Sequence, residues 1–80
     1  MKLEILGTGC AKCDKLAENV KATADKLGLD YEMSKVTDLG KIAGYGVMMT
    51  PALVVDGEVR ISGKLASEAE LTEILKAAAD

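Results

Sequence analysis

The sequence predicts an α/β fold in the order βαβαββα, with a mixed four-stranded sheet flanked by helices. Two strand-like segments are separated by a long stretch with helical spacing, and an Asp-Gly pair joins two further strands. A β–α–β start makes the first two strands parallel through a right-handed crossover, whereas a tight hairpin makes the last two antiparallel. The chain has 80 residues and no linker or repeat, so we expect one domain, residues 1–80.

The first strand and first helix have clear boundaries in the sequence. Residues 2–6 are rich in apolar side chains and end at a glycine, as a short strand does. Helical spacing then places one set of apolar residues on a single face: Cys13, Leu16, Ala17, Val20, Ala24 and Leu27. Gly28 is a natural stop for this helix. Residues 29–36 alternate apolar and polar side chains, which predicts a half-buried second strand.

A short second helix and a loop are expected next. Thr37 or Asp38 would cap the helix, because both residue types accept hydrogen bonds from the first free backbone N–H groups. The residues expected to face inward are Leu39, Ile42 and Ala43. Residues 44–51 then form a loop that ends at Pro51, the single proline of the chain.

The C-terminal part predicts a hairpin followed by a helix. Asp56-Gly57 favours the tight turn that matches the twist of two antiparallel strands. Ser67 and Glu70 form a capping box at the start of the last helix. The buried stripe of that helix comprises Leu71, Ile74, Leu75 and Ala78.

Composition and charge exclude several classes of protein. Apolar residues make up 49% of the chain, which is enough for a packed core. The net charge is −3 and there is no basic stripe, so we expect no nucleic-acid partner. The N-terminus has no sustained apolar run, which argues against a signal peptide or a membrane span. We therefore expect a cytoplasmic protein, in which a C-x-x-C pair is more often redox-active or metal-binding than structural.

The two cysteines, Cys10 and Cys13, stand three positions apart at the expected start of the first helix. On an ideal helix their Cα atoms would be ~5 Å apart, and a disulfide requires roughly 4.4–6.8 Å. The pair can therefore close and open with little backbone movement. As a structural staple it would be weak, because so short a loop contributes only ~2 kcal/mol in the chain-entropy model.

Position makes the two sulfur atoms unequal. Free backbone N–H groups and the positive end of the helix dipole favour a thiolate at Cys10, whereas an ordinary thiol titrates near ~8.5. Cys13 lies on the apolar stripe and should be sheltered. Cys10 is then the attacking thiol and Cys13 the resolving thiol. Gly7 and Gly9 permit a tight strand-to-helix turn and leave the approach to Cys10 open.

These residues resemble the thioredoxin/glutaredoxin superfamily, and in particular the minimal thioredoxin-like redox proteins of archaea and bacteria. The resemblance rests on a strand that leads into TGCAKC, and on Thr50-Pro51 before a hairpin and a final helix. It covers almost the whole chain and implies a thioredoxin fold and a thiol–disulfide oxidoreductase that carries electrons in cell redox homeostasis. It also implies no bound cofactor, target proteins with disulfides, and an electron donor such as a thioredoxin-reductase-like protein or another dithiol. We expect a monomer.

The same resemblance implies a substrate-binding edge beside the cysteines. Pro51 would be a cis-proline that faces the active-site disulfide, and Thr50 would offer its backbone to an extended stretch of substrate. Gly9 stands where thioredoxin has a tryptophan, and would border the substrate as well. The residues between the cysteines also differ from thioredoxin and glutaredoxin, which leaves the redox potential and the substrate open.

Glu4 lies six residues before Cys10, where thioredoxins have a buried acid. By resemblance it would be a proton relay to Cys13. The alternative is a solvent-facing charge near the end of a strand. Tyr45, Met48 and Met49 also have two interpretations: they form a soft apolar rim for partner proteins, or they pack under the sheet.

The rival function is a C-x-x-C metal-binding protein or metallochaperone for Cu(I) or Zn, because thiolates suit both metals. Small heavy-metal-associated domains resemble this chain in length and in the place of the motif. Two features count against this alternative: Thr8 stands where those domains have methionine, and the chain is expected to end on a helix rather than a strand. A closed zinc site would need four ligands, and the chain has two cysteines and no histidine.

Overall fold

The structure is a computed structural model that describes residues 1–9 and 11–79. Its elements follow the predicted order βαβαββα, so the expected α/β architecture is confirmed. The elements are β1 (Lys2–Leu6), α1 (Ala11–Lys26), β2 (Glu32–Val36), α2 (Leu39–Gly44), β3 (Ala52–Val55), β4 (Glu58–Ser62) and α3 (Glu68–Ala79).

The four strands form one mixed sheet in the order β2-β1-β3-β4. β1 pairs in parallel with β2, and antiparallel with β3, which in turn pairs antiparallel with β4. The parallel β1–β2 pair is the one that the β–α–β start predicts. β1 is therefore a central strand, and the segment that follows it leaves the sheet at its middle.

Side chains on the two faces of the sheet form two separate clusters. α1 and α3 pack against each other and cover one face, where Leu3 and Ile5 of β1 point. The buried members of this first cluster are Leu3, Ile5, Leu16, Ala17, Val20, Ala24, Leu53, Val55, Ile61, Ala66, Leu71 and Leu75. The second cluster lies on the α2 face and is smaller, with Leu6, Ile42, Val47, Ala52 and Val54.

Local signals at the ends of the elements are confirmed. α1 ends at Lys26, and Gly28 follows with a left-handed φ of 69°. The hairpin turn has positive φ at Asp56 (49°) and Gly57 (85°), as the Asp-Gly pair predicts. At the start of α3 the Glu70 N–H donates to Ser67 Oγ at 3.2 Å, and the Ser67 N–H donates to Glu70 Oε1 at 3.4 Å. These two bonds are the expected capping box.

The second strand starts later than predicted. β2 begins at Glu32 rather than at residue 29. β1 begins at Lys2, and its register partner is Glu32, so the residues before Glu32 have no neighbouring strand to pair with. Leu29 and Tyr31 nevertheless pack against the first cluster, as their alternation predicts.

The inward face expected of the second helix is wrong at two of its three positions. Asp38 caps α2 by accepting hydrogen bonds from the N–H groups of the first turn. Ile42 is buried, but Leu39 is 70% exposed and Ala43 is also exposed. α2 has six residues, fewer than two turns, so only the Ile42 position reaches the sheet. Val47, from the loop after α2, fills the remaining space.

Candidate functional site

The candidate site lies where β1 ends and α1 begins. The Gly7 N–H still donates to the Val36 carbonyl at 3.0 Å, so Gly7 continues the β1–β2 pairing by one residue. Gly9 has a left-handed φ of 86°, which a glycine adopts without steric cost and which turns the chain toward α1. Cys10, the expected attacking thiol, lies outside the described residues.

Cys13 lies in the first turn of α1, its third residue. It is 4% exposed and is disulfide-bonded. Its burial agrees with the shelter that its position on the apolar stripe predicts. Its role as the resolving thiol stays a prediction.

Gly7 is packed directly against Cys13. A Cβ atom built at Gly7 would overlap with Cys13 Sγ, and it would lie 3.1 Å from Cys13 Cβ and 3.8 Å from Thr50 Cβ. Gly7 therefore separates Cys13 from Thr50 by little more than its own backbone. Sequence reasoning assigned Gly7 to the turn and missed this contact. The available signal was a glycine at the end of an apolar strand, a position typical of close backbone approach.

The Thr50–Pro51 peptide bond is cis, as the resemblance implied. Pro51 is fully buried just before β3, and its carbonyl accepts a hydrogen bond from the Gly63 N–H at 2.9 Å. Thr50 and Gly9 are both exposed. The structure thus brings Cys13, Gly7 and Thr50 together, while the substrate-binding roles of Gly9, Thr50 and Pro51 remain predictions.

The two methionines before Thr50 are on the surface. Met48 is 94% exposed and Met49 is 65% exposed, so neither packs under the sheet, and their role as a rim for partner proteins stays a prediction. Met49 is held against Gly63, where an added Cβ would lie 2.9 Å from Met49 Cβ. Tyr45 instead packs against the sheet, because it is half-buried and contacts the second cluster.

Glu4 is buried and not a solvent-facing charge. It is 8% exposed, and Tyr45 donates its hydroxyl proton to Glu4 Oε1 at 2.9 Å. This hydrogen bond raises the pKa of Tyr45 above its ordinary value of 10.0, with smaller contributions from burial and from the negative charge of Glu4. Sequence reasoning missed Tyr45 as the partner of Glu4, and the role of Glu4 as a proton relay stays a prediction.

Two further features bear on the other classes of function. Within residues 1–9 and 11–79, no three or more His, Cys, Asp or Glu side chains cluster in a way that would hold a metal ion. No helix in the described part of the chain is both long enough and apolar enough to cross a membrane.

Comparison with known proteins gives consistent matches over nearly the whole chain. A family model described as the thioredoxin domain matches residues 1–76. A protein named thioredoxin from Methanothermobacter thermautotrophicus is 41% identical over 75 residues, which cover 94% of this chain and 97% of that protein. A protein named thioredoxin from Methanocaldococcus jannaschii is 43% identical over 74 residues, covering 92% of this chain and 85% of that protein.

Proposed function

The chain belongs to the thioredoxin domain family, and from that premise we propose that it reduces protein or small-molecule disulfides through a Cys10–Cys13 dithiol–disulfide couple. Family membership supports the general activity, which is thiol–disulfide oxidoreduction. The finer proposal depends on Cys13. This cysteine is disulfide-bonded and buried in the first turn of α1, three residues after the other cysteine of the chain.

The proposed reaction is a pair of thiol–disulfide exchanges. The Cys10 thiolate attacks one sulfur of a target disulfide, forms a mixed disulfide and releases the other target sulfur as a thiolate. Cys13 loses its proton and attacks the Cys10 sulfur, which breaks the mixed disulfide and releases the second target thiolate. The target gains two electrons, and the protein is left with a Cys10–Cys13 disulfide. No bound cofactor is needed, because the two sulfur atoms carry the electrons.

The assignment of roles rests on access. Cys13 is almost completely buried and Gly7 lies against its sulfur, so a target disulfide cannot approach it from the β1 side. Cys10 follows the exposed Gly9 and precedes α1, where free backbone N–H groups stabilise a thiolate. Cys10 is therefore the attacking thiol in our proposal, and Glu4 is the group that would relay the proton of Cys13.

We assign substrate binding to Gly9, Thr50 and Pro51. Gly9 and Thr50 are exposed, and a Cβ atom built at Gly7 would lie 3.8 Å from Thr50 Cβ. Met48 and Met49 extend this edge with flexible apolar side chains that adapt to different partners. An extended segment of a target protein would lie along this edge with its disulfide at Cys10.

The proposal includes the cellular setting. We place residues 1–80 as one domain in the cytoplasm, working as a monomer. Cytoplasmic thiols are kept reduced, so net reduction of target disulfides is the expected direction. A thioredoxin-reductase-like protein or another dithiol would then reduce the Cys10–Cys13 disulfide and complete the cycle.

A redox titration of the purified protein, run beside copper and zinc binding assays, tests this function against the metal-binding alternative. We expect a reversible two-electron couple, read from the fraction of thiols that react with an alkylating agent in buffers of defined potential. We also expect no tight binding of Cu(I) or Zn²⁺. Tight metal binding by a protein with no reversible couple would contradict the proposal.

The order of the two cysteines is tested separately by trapping. Cys13→Ser should accumulate mixed disulfides with target proteins, because the attacking thiol remains and the resolving thiol is missing. Cys10→Ser is the matched control, and it should trap none. If Cys10→Ser traps targets as well as Cys13→Ser does, the assignment of attacking and resolving thiols is reversed or wrong.

A further inference from the structure

We propose that Tyr45 is a positioning residue, whose hydrogen bond to the buried Glu4 carboxylate holds the segment 46–50 in place for binding target disulfides. This inference rests on the proposed function. It concerns the residue that caps the C-terminus of α2, which is remote in sequence from both cysteines. It follows from the burial and hydrogen bonding of the α2 face of the sheet.

The first step is the burial of Glu4. Among residues 1–9 and 11–79, Glu4 is the one acidic side chain that is buried. Its neighbours across the sheet are Ser34 and Val54, and no ion pair forms with it in the described part of the chain. A buried carboxylate is costly unless it accepts hydrogen bonds. The Tyr45 hydroxyl supplies one at 2.9 Å.

The second step is the place of Tyr45 in the chain. Tyr45 directly follows Gly44 and caps the C-terminus of α2, because its N–H donates to the carbonyls of the last helical turn. Gly46 follows with a φ of 80°, and its N–H donates to the Ala43 carbonyl at 2.9 Å. Val47 then enters the second cluster. Tyr45 and Val47 therefore fix the segment 46–50 at its beginning.

The third step is the exposure of the side chains that this segment carries. Met48, Met49 and Thr50 are exposed, and the chain is fixed again at Pro51, which is buried just before β3. Residues 48–50 are thus a short exposed stretch between fixed points on either side. One of those points is the Tyr45–Glu4 bond, and the edge proposed to bind substrate lies between them.

The fourth step is the position of Glu4 on β1. Glu4 lies three residues before Gly7, and Gly7 contacts Cys13. The Tyr45–Glu4 bond therefore links the strand that leads to the cysteines with the segment that leads to Thr50 and Pro51. Phenylalanine would fill the same space as Tyr45 but could not donate this bond.

The test compares Tyr45→Phe with the parent protein in steady-state reduction of a protein disulfide such as insulin. We expect kcat/KM for insulin to fall roughly tenfold, as the loss of one hydrogen bond to a charged group predicts. The fall should come mainly through KM. Oxidised glutathione is small and needs little contact with the proposed substrate-binding edge, so its kcat/KM should change less than twofold. The midpoint potential of the cysteine couple should stay the same.

Tyr31→Phe is the matched control. The Tyr31 hydroxyl also donates to a carboxylate, Asp25 Oδ1 at 2.7 Å, but this bond is exposed, and Tyr31 packs against the first cluster rather than the second. The same loss of a hydroxyl should leave kcat/KM unchanged for both insulin and oxidised glutathione. If Tyr45→Phe matches Tyr31→Phe, or if it slows insulin and oxidised glutathione equally, the positioning role is wrong.

A spectroscopic measurement follows the bond itself without using activity. The chain has no tryptophan and two tyrosines, so Tyr31→Phe leaves Tyr45 as the single phenol. In that variant the absorbance of tyrosinate should report a pKa of Tyr45 above 10.0, and adding Glu4→Gln should lower it. An unchanged titration would mean that the bond does not form. A parent protein that reduces neither substrate would instead contradict the proposed function, so the two failures are distinct.

Discussion

Adding one methyl group at Gly7 tests how closely β1 and α1 pack at the site. Gly7 is buried, and its φ is not among the positive values that favour glycine, so alanine fits the backbone there. The new Cβ would nevertheless overlap with Cys13 Sγ and lie 3.1 Å from Cys13 Cβ. The substitution Gly7→Ala therefore isolates a packing conflict from any change in backbone conformation.

The size of the effect follows from two opposing terms. Replacing glycine with alanine at a compatible position gains about 0.4–1 kcal/mol, because the unfolded chain loses freedom. Overpacking a core typically costs about 1–3 kcal/mol. Cys13 is buried and disulfide-bonded, so its sulfur cannot swing aside and the cost should prevail. A net loss of about 1–2 kcal/mol in the free energy of unfolding lowers the Tm by roughly 4–16 °C in a domain of this size.

The measurement is unfolding of the oxidised protein by urea and by heat, followed by far-UV circular dichroism. Gly44→Ala is the control, because Gly44 is exposed at the end of α2 and an added Cβ meets nothing within 4 Å. It should be neutral or stabilising by up to about 1 kcal/mol. If Gly7→Ala is as stable as the parent while Gly44→Ala behaves as expected, the close contact between Gly7 and Cys13 is wrong.

Three other predictions can be checked with simple assays. Ile42→Ala should lower the free energy of unfolding by about 2–5 kcal/mol, whereas Leu39→Ser should change it by less than about 0.5 kcal/mol, because only Ile42 is buried. The Lys64 hydrogen bond lowers the pKa of Glu70 below its ordinary value of 4.5. The stability that ionised Glu70 contributes should therefore be present above pH 4.5 and lost as the pH falls below it. In Lys64→Gln, the urea midpoint should fall less over the same pH range than it does in the parent protein. Alkylation of reduced Cys10 should show a pH midpoint below ~8.5, and a midpoint at or above that value would contradict thiolate stabilisation at the helix start.

The elements that sequence could predict are those whose signals are local. Gly28, the Asp56-Gly57 pair and the Ser67/Glu70 capping box each act within a few residues, and all three function as predicted. The predicted start of β2 was wrong because the true start depends on where β1 begins. The two strands pair across about thirty residues of sequence. The exposure of Leu39 was missed for a similar reason, since a helix of less than two turns has no periodicity that fixes its inward face.

The features of the candidate site also divide into those with local sequence signals and those that depend on contacts between distant segments. The shelter of Cys13 was predictable, because the apolar stripe of α1 already includes it. The contact of Gly7 with Cys13 and Thr50 depends on three segments meeting, and a glycine at the end of a strand indicates a close approach without naming the residues that approach. The Tyr45–Glu4 bond joins residues 41 positions apart, and a tyrosine after a short helix gives no sign of its partner.

The two faces of the sheet therefore have different roles: one supplies stability, and the other fixes an exposed segment. The first cluster, under α1 and α3, includes most of the fully buried side chains and provides most of the apolar burial that stabilises a chain of 80 residues. The second cluster is small, yet it lies beside a buried carboxylate and fixes the segment that carries the exposed methionines. A buried carboxylate costs stability unless it accepts hydrogen bonds, so the bond from Tyr45 offsets part of the cost of placing Glu4 on the α2 face. We therefore expect substitutions at Met48 and Met49 to change the choice of target with little effect on unfolding, and substitutions in the first cluster to do the reverse.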